Sequence, residues 1–217
     1  MDMNLKELEF QLSCLDGVNG IEVAKRMNET NRNLIKKTID SLKVNTYDIV
    51  LEIGHGNGIH INYLLEKAKG IQYIGVEISK TMHNEAIRLN QSSFIENRKE
   101  FILYEGINIP YDDNTFDKIF TVNTIYFWEN RVQFLAEIKR VLKADGEFSI
   151  GFVNESSMRE LTFVKNRFEL FSKEKINKLI GETGLYIISE FTEIESITNN
   201  IGELTNRKCY VIKVKIP

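Results

Sequence analysis

Apolar residues recur along this chain in two different periods, and the change of period divides it. Leu5, Leu8, Leu12 and Leu15 fall three or four apart, the spacing of one face of a helix. Asp16-Gly17-Val18-Asn19-Gly20 breaks that pattern. A second helical stretch covers residues 22–43, interrupted near Asn28-Glu29-Thr30. Beyond it, short apolar runs at 49–53, 73–76, 100–104, 118–122 and 147–152 read as strands. Helical spacing fills the gaps at 59–69, 80–96 and 131–143. An irregular stretch follows Phe152, then a helix at 173–182 closed by Thr183-Gly184, and two late β-rich runs at 186–193 and 208–216. Alternation of strand and helix predicts an α/β fold, a mainly parallel sheet with helices on both faces. Pro110 and Pro217 fall outside every predicted element.

A chain of 217 residues suits one large domain. We divide it into an N-terminal helical cap, 1–46, and a main domain, 47–217, with 154–172 as a substrate lid. Hydrophobic residues at 42% and charged residues at 27% are a globular composition. A formal charge of -3 argues against a broad grip on nucleic acid, and none is expected as partner. Cys14 and Cys209 form no metal-binding pair, so no metal site is expected. The polar start Asp2-Met3-Asn4 and the lack of an apolar run of ~20 residues point to the cytoplasm. The leucine stripe near the start either packs on the domain or forms a dimer seam, so both monomer and homodimer stay open.

The first strand runs straight into Glu52-Ile53-Gly54-His55-Gly56-Asn57-Gly58. Glycine there lets backbone approach a ligand closely, and the crevice beyond a first strand is the usual nucleotide site. The helix expected from residue 59 would turn its free N–H groups toward that crevice. A dinucleotide fingerprint needs a glycine where Ile59 stands. The spacing Glu52, Gly54, Gly56, Gly58 instead resembles motif I of the class I S-adenosylmethionine-dependent methyltransferases.

Three further segments carry the same resemblance. Tyr73-Ile74-Gly75-Val76-Glu77-Ile78 puts a carboxylate at the end of strand two, where it would accept from ribose hydroxyls. Ile78 would pack on adenine, and Ser79 is placed to cap the next helix. Glu105-Gly106-Ile107-Asn108-Ile109-Pro110, followed by an acidic turn and Phe116-Asp117, resembles the family segment around the adenine amino group. Glu137-Ile138-Lys139-Arg140-Val141-Leu142-Lys143-Ala144-Asp145-Gly146 resembles the family's helix-turn-strand unit, with Asp145 where a glycine often falls. The chain is similar to the small-molecule branch that includes methyltransferases of quinone biosynthesis. That resemblance implies a Rossmann-like sandwich with seven strands, the last antiparallel, and S-adenosylmethionine as cofactor. It implies a small-molecule methyl acceptor as substrate.

The implied cofactor residues are Glu52, Gly54, His55, Gly56, Gly58, Glu77, Ile78, Glu105, Gly106, Ile107 and Asn123. Glu52 is either the partner of the cofactor's ammonium or a strand glutamate held by the turn. His55 is a candidate for carboxylate binding or base catalysis, with plain accommodation in the turn as the alternative. His60 and His83 read as surface or structural residues. Asn123-Thr124-Ile125-Tyr126-Phe127-Trp128 lacks the prolines of an amine-methylating motif. Tyr126, a second catalytic candidate, and Trp128 are acceptor-wall candidates, with Arg159 and Phe168 from the lid. Met27, Asn28 and Asn31 would close over the cofactor. A binder of S-adenosylmethionine or S-adenosylhomocysteine without catalysis is the alternative, and a nicotinamide enzyme is disfavoured by Ile59.

Overall fold

The computed structural model describes residues 3–91, 98–199 and 201–217. Seven strands form one sheet: β1 (Ile49–Ile53), β2 (Gln72–Glu77), β3 (Lys99–Leu103), β4 (Phe116–Val122), β5 (Leu142–Val153), β6 (Tyr186–Thr198) and β7 (Leu204–Lys215). Their order is β3-β2-β1-β4-β5-β7-β6. Neighbours from β3 to β5 run parallel, whereas β7 is antiparallel to both β5 and β6. The expected seven-stranded, mainly parallel sheet with an antiparallel last strand is therefore the observed one.

Eight helices surround the sheet among the described residues: α1 (Leu5–Ser13), α2 (Gly17–Thr30), α3 (Arg32–Leu42), α4 (Ile61–Leu65), α5 (Lys80–Asn90), α6 (Arg131–Val141), α7 (Glu155–Arg159) and α8 (Lys173–Glu182). Chain order departs outward from β1 to β2 and β3, then returns to β4 and departs the other way. Right-handed crossovers thus put α4 and α5 on one face and α6 on the other. Alternation along each strand feeds both faces. Val50, Tyr73 and Phe120 pack with Ile39, Leu42, Ile61 and Leu64 of α3 and α4. Leu51, Ile119 and Phe148 join a larger cluster with Leu135 and Ile138 of α6 and Ile176 and Ile180 of α8. The reversal of strand order leaves a crevice past the carboxyl ends of β1 and β4.

Several elements differ from the sequence reading. The α2 helix starts at Gly17 and absorbs the expected breaker, because Gly20 is a contact residue: a Cβ there would lie 2.8 Å from the Leu15 carbonyl carbon. The break before α3 falls at Asn31, one residue beyond the expected interruption. Only Ile61–Leu65 is α-helical after β1, so the expected helix start at residue 59 gives way to a longer turn. The expected helix 80–96 ends at Asn90, and residues 92–97 lie outside the described residues. Asp145-Gly146 sits in a bulge, not a separate turn. Between paired positions β4 advances from Phe116 to Lys118 while β5 advances from Leu142 to Glu147.

The last two strands are much longer than their apolar runs. β5 ends at Val153, opposite Cys209, while β6 and β7 stay paired out to Thr198 and Leu204. The hairpin therefore overhangs the end of β5. Of the leucine stripe, Leu8 and Leu15 are buried in the domain's core and Leu12 packs against it, which assigns these three to inward packing.

Gly151 of β5 fixes how closely α3 approaches, since a Cβ there would run into the Thr38 hydroxyl. Gly151→Ala is expected to cost about 1–3 kcal/mol through overpacking. Urea unfolding checks this, and Gly181→Ala, where a Cβ meets nothing within 4 Å, is the control.

Candidate functional site

Two neighbouring cavities open at the carboxyl ends of β1, β2 and β4. The larger, about 410 Å³, is the crevice at the strand-order reversal. Its floor comes from Gly54 and Gly56 after β1, Glu77 and Ile78 after β2, and Tyr104 to Ile107 after β3. Asn123, Thr124, Phe127 and Trp128 after β4 form one side, and Leu12 of α1, Cys14 and Leu15 of the α1–α2 connection and Met27 of α2 form the roof.

Glu77 organises the floor. Its Oε2 accepts from Gly56 N–H at 2.9 Å, and its Oε1 accepts from Ile78 and Ser79 N–H, each at 2.9 Å. One strand-end carboxylate thus fastens the β1 turn to the start of α5. Burial pushes its pKa above the ordinary carboxyl value, while the three N–H donors act in the opposite direction. Ser79 caps α5 through Met82 N–H, as expected. The turn itself needs its glycines: Gly54, Gly56 and Gly58 all have positive φ. At Gly54 a Cβ would lie 2.5 Å from the Thr124 methyl, so the exits of β1 and β4 close up only around glycine. Ile78 and Ile107 stay 45% and 49% exposed and present apolar faces to the crevice.

Its charge is one-sided. Glu77, Glu105 and Glu129 line the crevice, and no lysine or arginine does among the described residues. Such a wall suits a ligand of net positive charge and opposes a pyrophosphate.

The smaller cavity, about 70 Å³, lies beside the crevice and shares Leu12, Met27, Asn123 and Phe127 with it. Tyr126, Met158, Leu161, Phe163 and Phe168 line it, and the β6–β7 overhang contributes Ile197, Thr205 and Arg207. Glu9 of α1 accepts from the backbone N–H groups of Lys165 and Arg167, which anchors the 154–172 segment.

Several predicted residues lie elsewhere. Glu52 faces away from both cavities, accepting from the Tyr73 hydroxyl at 2.5 Å with His60 Nε2 2.8 Å from its Oε1. Those contacts occupy the carboxylate expected to meet an ammonium group, and they give His60 a structural role. His55 is likewise buried, with Nδ1 donating to Gly56 O at 2.7 Å and its ring edge-on to Phe101. It lines neither cavity. Gly58 packs against Ile61 and Ala86 outside the lining. Arg159 pairs with Glu155 and also lies outside both walls. Tyr126 lies in the smaller cavity, where its oxygen accepts from Val153 N–H at 2.6 Å, and burial raises its pKa, leaving it a donor. Trp128 lines the crevice, with Nε1 donating to Thr124 Oγ1 at 3.1 Å.

Arg207 and Glu9 were missed in the sequence reading. Their importance depends on strand register and on a contact 156 residues apart, neither of which local spacing carries.

A family model described as a methyltransferase domain matches residues 51–150. YrhH of Bacillus subtilis (strain 168), named as a methyltransferase, is 32% identical over 127 residues, which are 58% of this chain and 69% of that protein. This chain belongs to the S-adenosylmethionine-dependent methyltransferases. The erythromycin 3''-O-methyltransferase of Saccharopolyspora erythraea is 24% identical over 134 residues, 62% of this methyltransferase and 44% of that enzyme. Among solved structures, a SAM-dependent methyltransferase from Aquifex aeolicus superposes with a TM-score of 0.70 at 20% identity, covering 90% of this chain and 98% of that one. Geranyl diphosphate methyltransferase in complex with SAM gives a TM-score of 0.70 at 12% identity over 93% and 92% of the two chains. At such identities these structures establish the fold of the methyltransferase. S-adenosylmethionine is its cofactor, and the acidic crevice fits that cofactor's net positive charge. No helix among the described residues is long and apolar enough to cross a membrane.

Burial lowers the His55 pKa from 6.5 to about 4. The folded methyltransferase therefore resists protonation that the unfolded chain accepts, so stability present above pH 6.5 is lost as pH falls toward 4, by roughly 3 kcal/mol. Urea midpoints at pH 7 and pH 4.5 should converge in His55→Gln relative to the wild type. An unchanged pH dependence in the variant would place its origin elsewhere.

Proposed function

We propose that this methyltransferase holds S-adenosylmethionine in the acidic crevice and methylates a small molecule seated in the adjoining apolar cavity. The shared wall of Leu12, Met27, Asn123 and Phe127 is the observation that carries this reading, because it puts the two ligands in contact across one boundary. The cofactor, when bound, supplies an activated methyl group, so the protein's contribution is orientation and exclusion of water. Alignment of this kind is worth several kcal/mol, with about 7–11 as the ceiling for ideal geometry.

Glu77 is the ribose residue in this reading. Its Oε1 already accepts two N–H groups, which leaves Oε2 the better placed to take a hydroxyl. Ile78 and Ile107 flank the adenine, with Glu105 at its amino edge. Gly54 and Gly56 admit the backbone-proximal part of the cofactor. Residues 1–46 act as a cap through Leu12, Leu15 and Met27, and 154–172 act as the lid over the acceptor. Asn123 and Phe127 separate the two ligands. Trp128 stiffens the crevice wall by its indole hydrogen bond and its packing on Phe134.

Calorimetric titration with S-adenosylmethionine, S-adenosylhomocysteine and NADH tests the cofactor assignment. The first two should bind and NADH should not; the reverse would overturn the reading. Glu77→Ala should weaken S-adenosylmethionine binding about tenfold or more, and unchanged affinity would remove Glu77 from the ribose role. For the lid, Phe168→Ala should slow labelled-methyl transfer to an acceptor found by screening while S-adenosylhomocysteine affinity holds. Equal loss of both would make the segment a part of the scaffold.

A further inference from the structure

We propose that the smaller cavity selects a compact, uncharged and mainly apolar acceptor, with the acceptor's single polar end held at Asn123. The proposal rests on the methyl-transfer reading and specifies what that reading leaves open.

Size is the first constraint. A volume of about 70 Å³ is about half that of the ~150 Å³ cavity that takes up a benzene ring. It suits a short branched chain and not a substituted ring. Its walls are largely apolar, from Tyr126, Met158, Leu161, Phe163 and Phe168, and the Phe127 and Phe168 rings pack at 4.8 Å.

Charge is the second. Arg207 is the one formally charged residue in the lining among the described residues. It is cross-strand partner to Glu195 in the β6–β7 overhang, 2.7 Å away, and both side chains are about nine-tenths buried. Its other donors go to Asn31 Oδ1 at 3.2 Å and to the Thr30 carbonyl. Glu195 in turn accepts from Asn33 and from the Cys209 thiol. An anionic acceptor would meet a guanidinium already neutralised and bonded, and a cationic one would meet no carboxylate in the wall. Either would bury an unpaired charge, which costs several kcal/mol.

The third constraint is the polar anchor. Asn123 lines both cavities and holds φ at 58°, a left-handed conformation that asparagine tolerates better than most residues. Its Nδ2 donates to Asn31 Oδ1 at 3.1 Å, and its Oδ1 accepts from the Tyr126 hydroxyl at 3.1 Å. An amide offers two N–H groups and two lone pairs, so those two bonds leave one of each for an acceptor. Backbone strain, fixed side-chain orientation and position on the shared wall converge on this residue.

Three probes with one branched skeleton distinguish the possibilities: 2-methylpropan-1-ol, 2-methylpropanoate and 2-methylpropylamine, titrated into the protein saturated with S-adenosylhomocysteine. The neutral alcohol should bind at least about tenfold tighter than either charged analogue. Leu161→Trp, which fills the cavity, should abolish that binding while S-adenosylhomocysteine affinity is kept. Asn123→Gly, which accepts the left-handed backbone, should fold and weaken the alcohol about tenfold. Equal or tighter binding of a charged analogue overturns the proposal. So does binding of the alcohol that either variant leaves unchanged, or S-adenosylhomocysteine binding with no binding of the alcohol. Failure of S-adenosylhomocysteine itself to bind would instead overturn the methyl-transfer reading, and this proposal with it.

Discussion

A carboxylate at the end of a parallel strand is surrounded by backbone N–H groups that the sheet itself cannot satisfy, and Glu77 makes use of three of them. By accepting from Gly56, Ile78 and Ser79 it joins the exit of β1 to the entry of α5. The glycine turn is held as well by Gly54 N–H donating to Val76 O, Gly58 N–H to His55 O and His55 Nδ1 to Gly56 O. Its middle is fastened by a residue of the next strand, which also lines the crevice.

The same end of the sheet separates two kinds of buried acid. Glu52 and Glu77 both sit at strand ends, and both are nearly inaccessible. Both point to the α4 face of the sheet, where Tyr73 and His60 satisfy Glu52, while Glu77, one pleat further along β2 than Gly75 opposite Glu52, reaches the crevice. A carboxylate fully occupied by protein donors is structural, and one with a lone pair open to a cavity is available to a ligand. Glu147, held by Lys118 and Lys213, belongs with the former.

Strand and helix order was legible because each element carries its own period, and the glycine spacing marked the crevice before any coordinate. Glu77, Glu105, Gly106 and Ile107 come together there because each follows directly on a strand whose register is fixed by a buried face. Local spacing could not tell that Glu52 and His55 turn away, since both stand in the same motif as Gly54 and Gly56. It also gave no sign of how far β6 and β7 extend past β5, because polar residues such as Glu195, Asn206 and Arg207 look like loop until their partners are known. The second cavity was the least readable part. Its wall draws on α1, the 154–172 segment and the overhanging hairpin, and their meeting is a property of topology.

That overhang bears on the order in which the molecule is completed. Everything needed for the crevice floor lies between Gly54 and Asn123, whereas the second cavity requires Arg207 to reach back to Thr30 and Asn31 across the sheet. Contacts so distant in sequence close late, after the shorter-range ones have formed. The crevice floor thus takes shape before the second cavity is enclosed. The β6–β7 hairpin, reaching back to Thr30 and Asn31, is what closes that cavity.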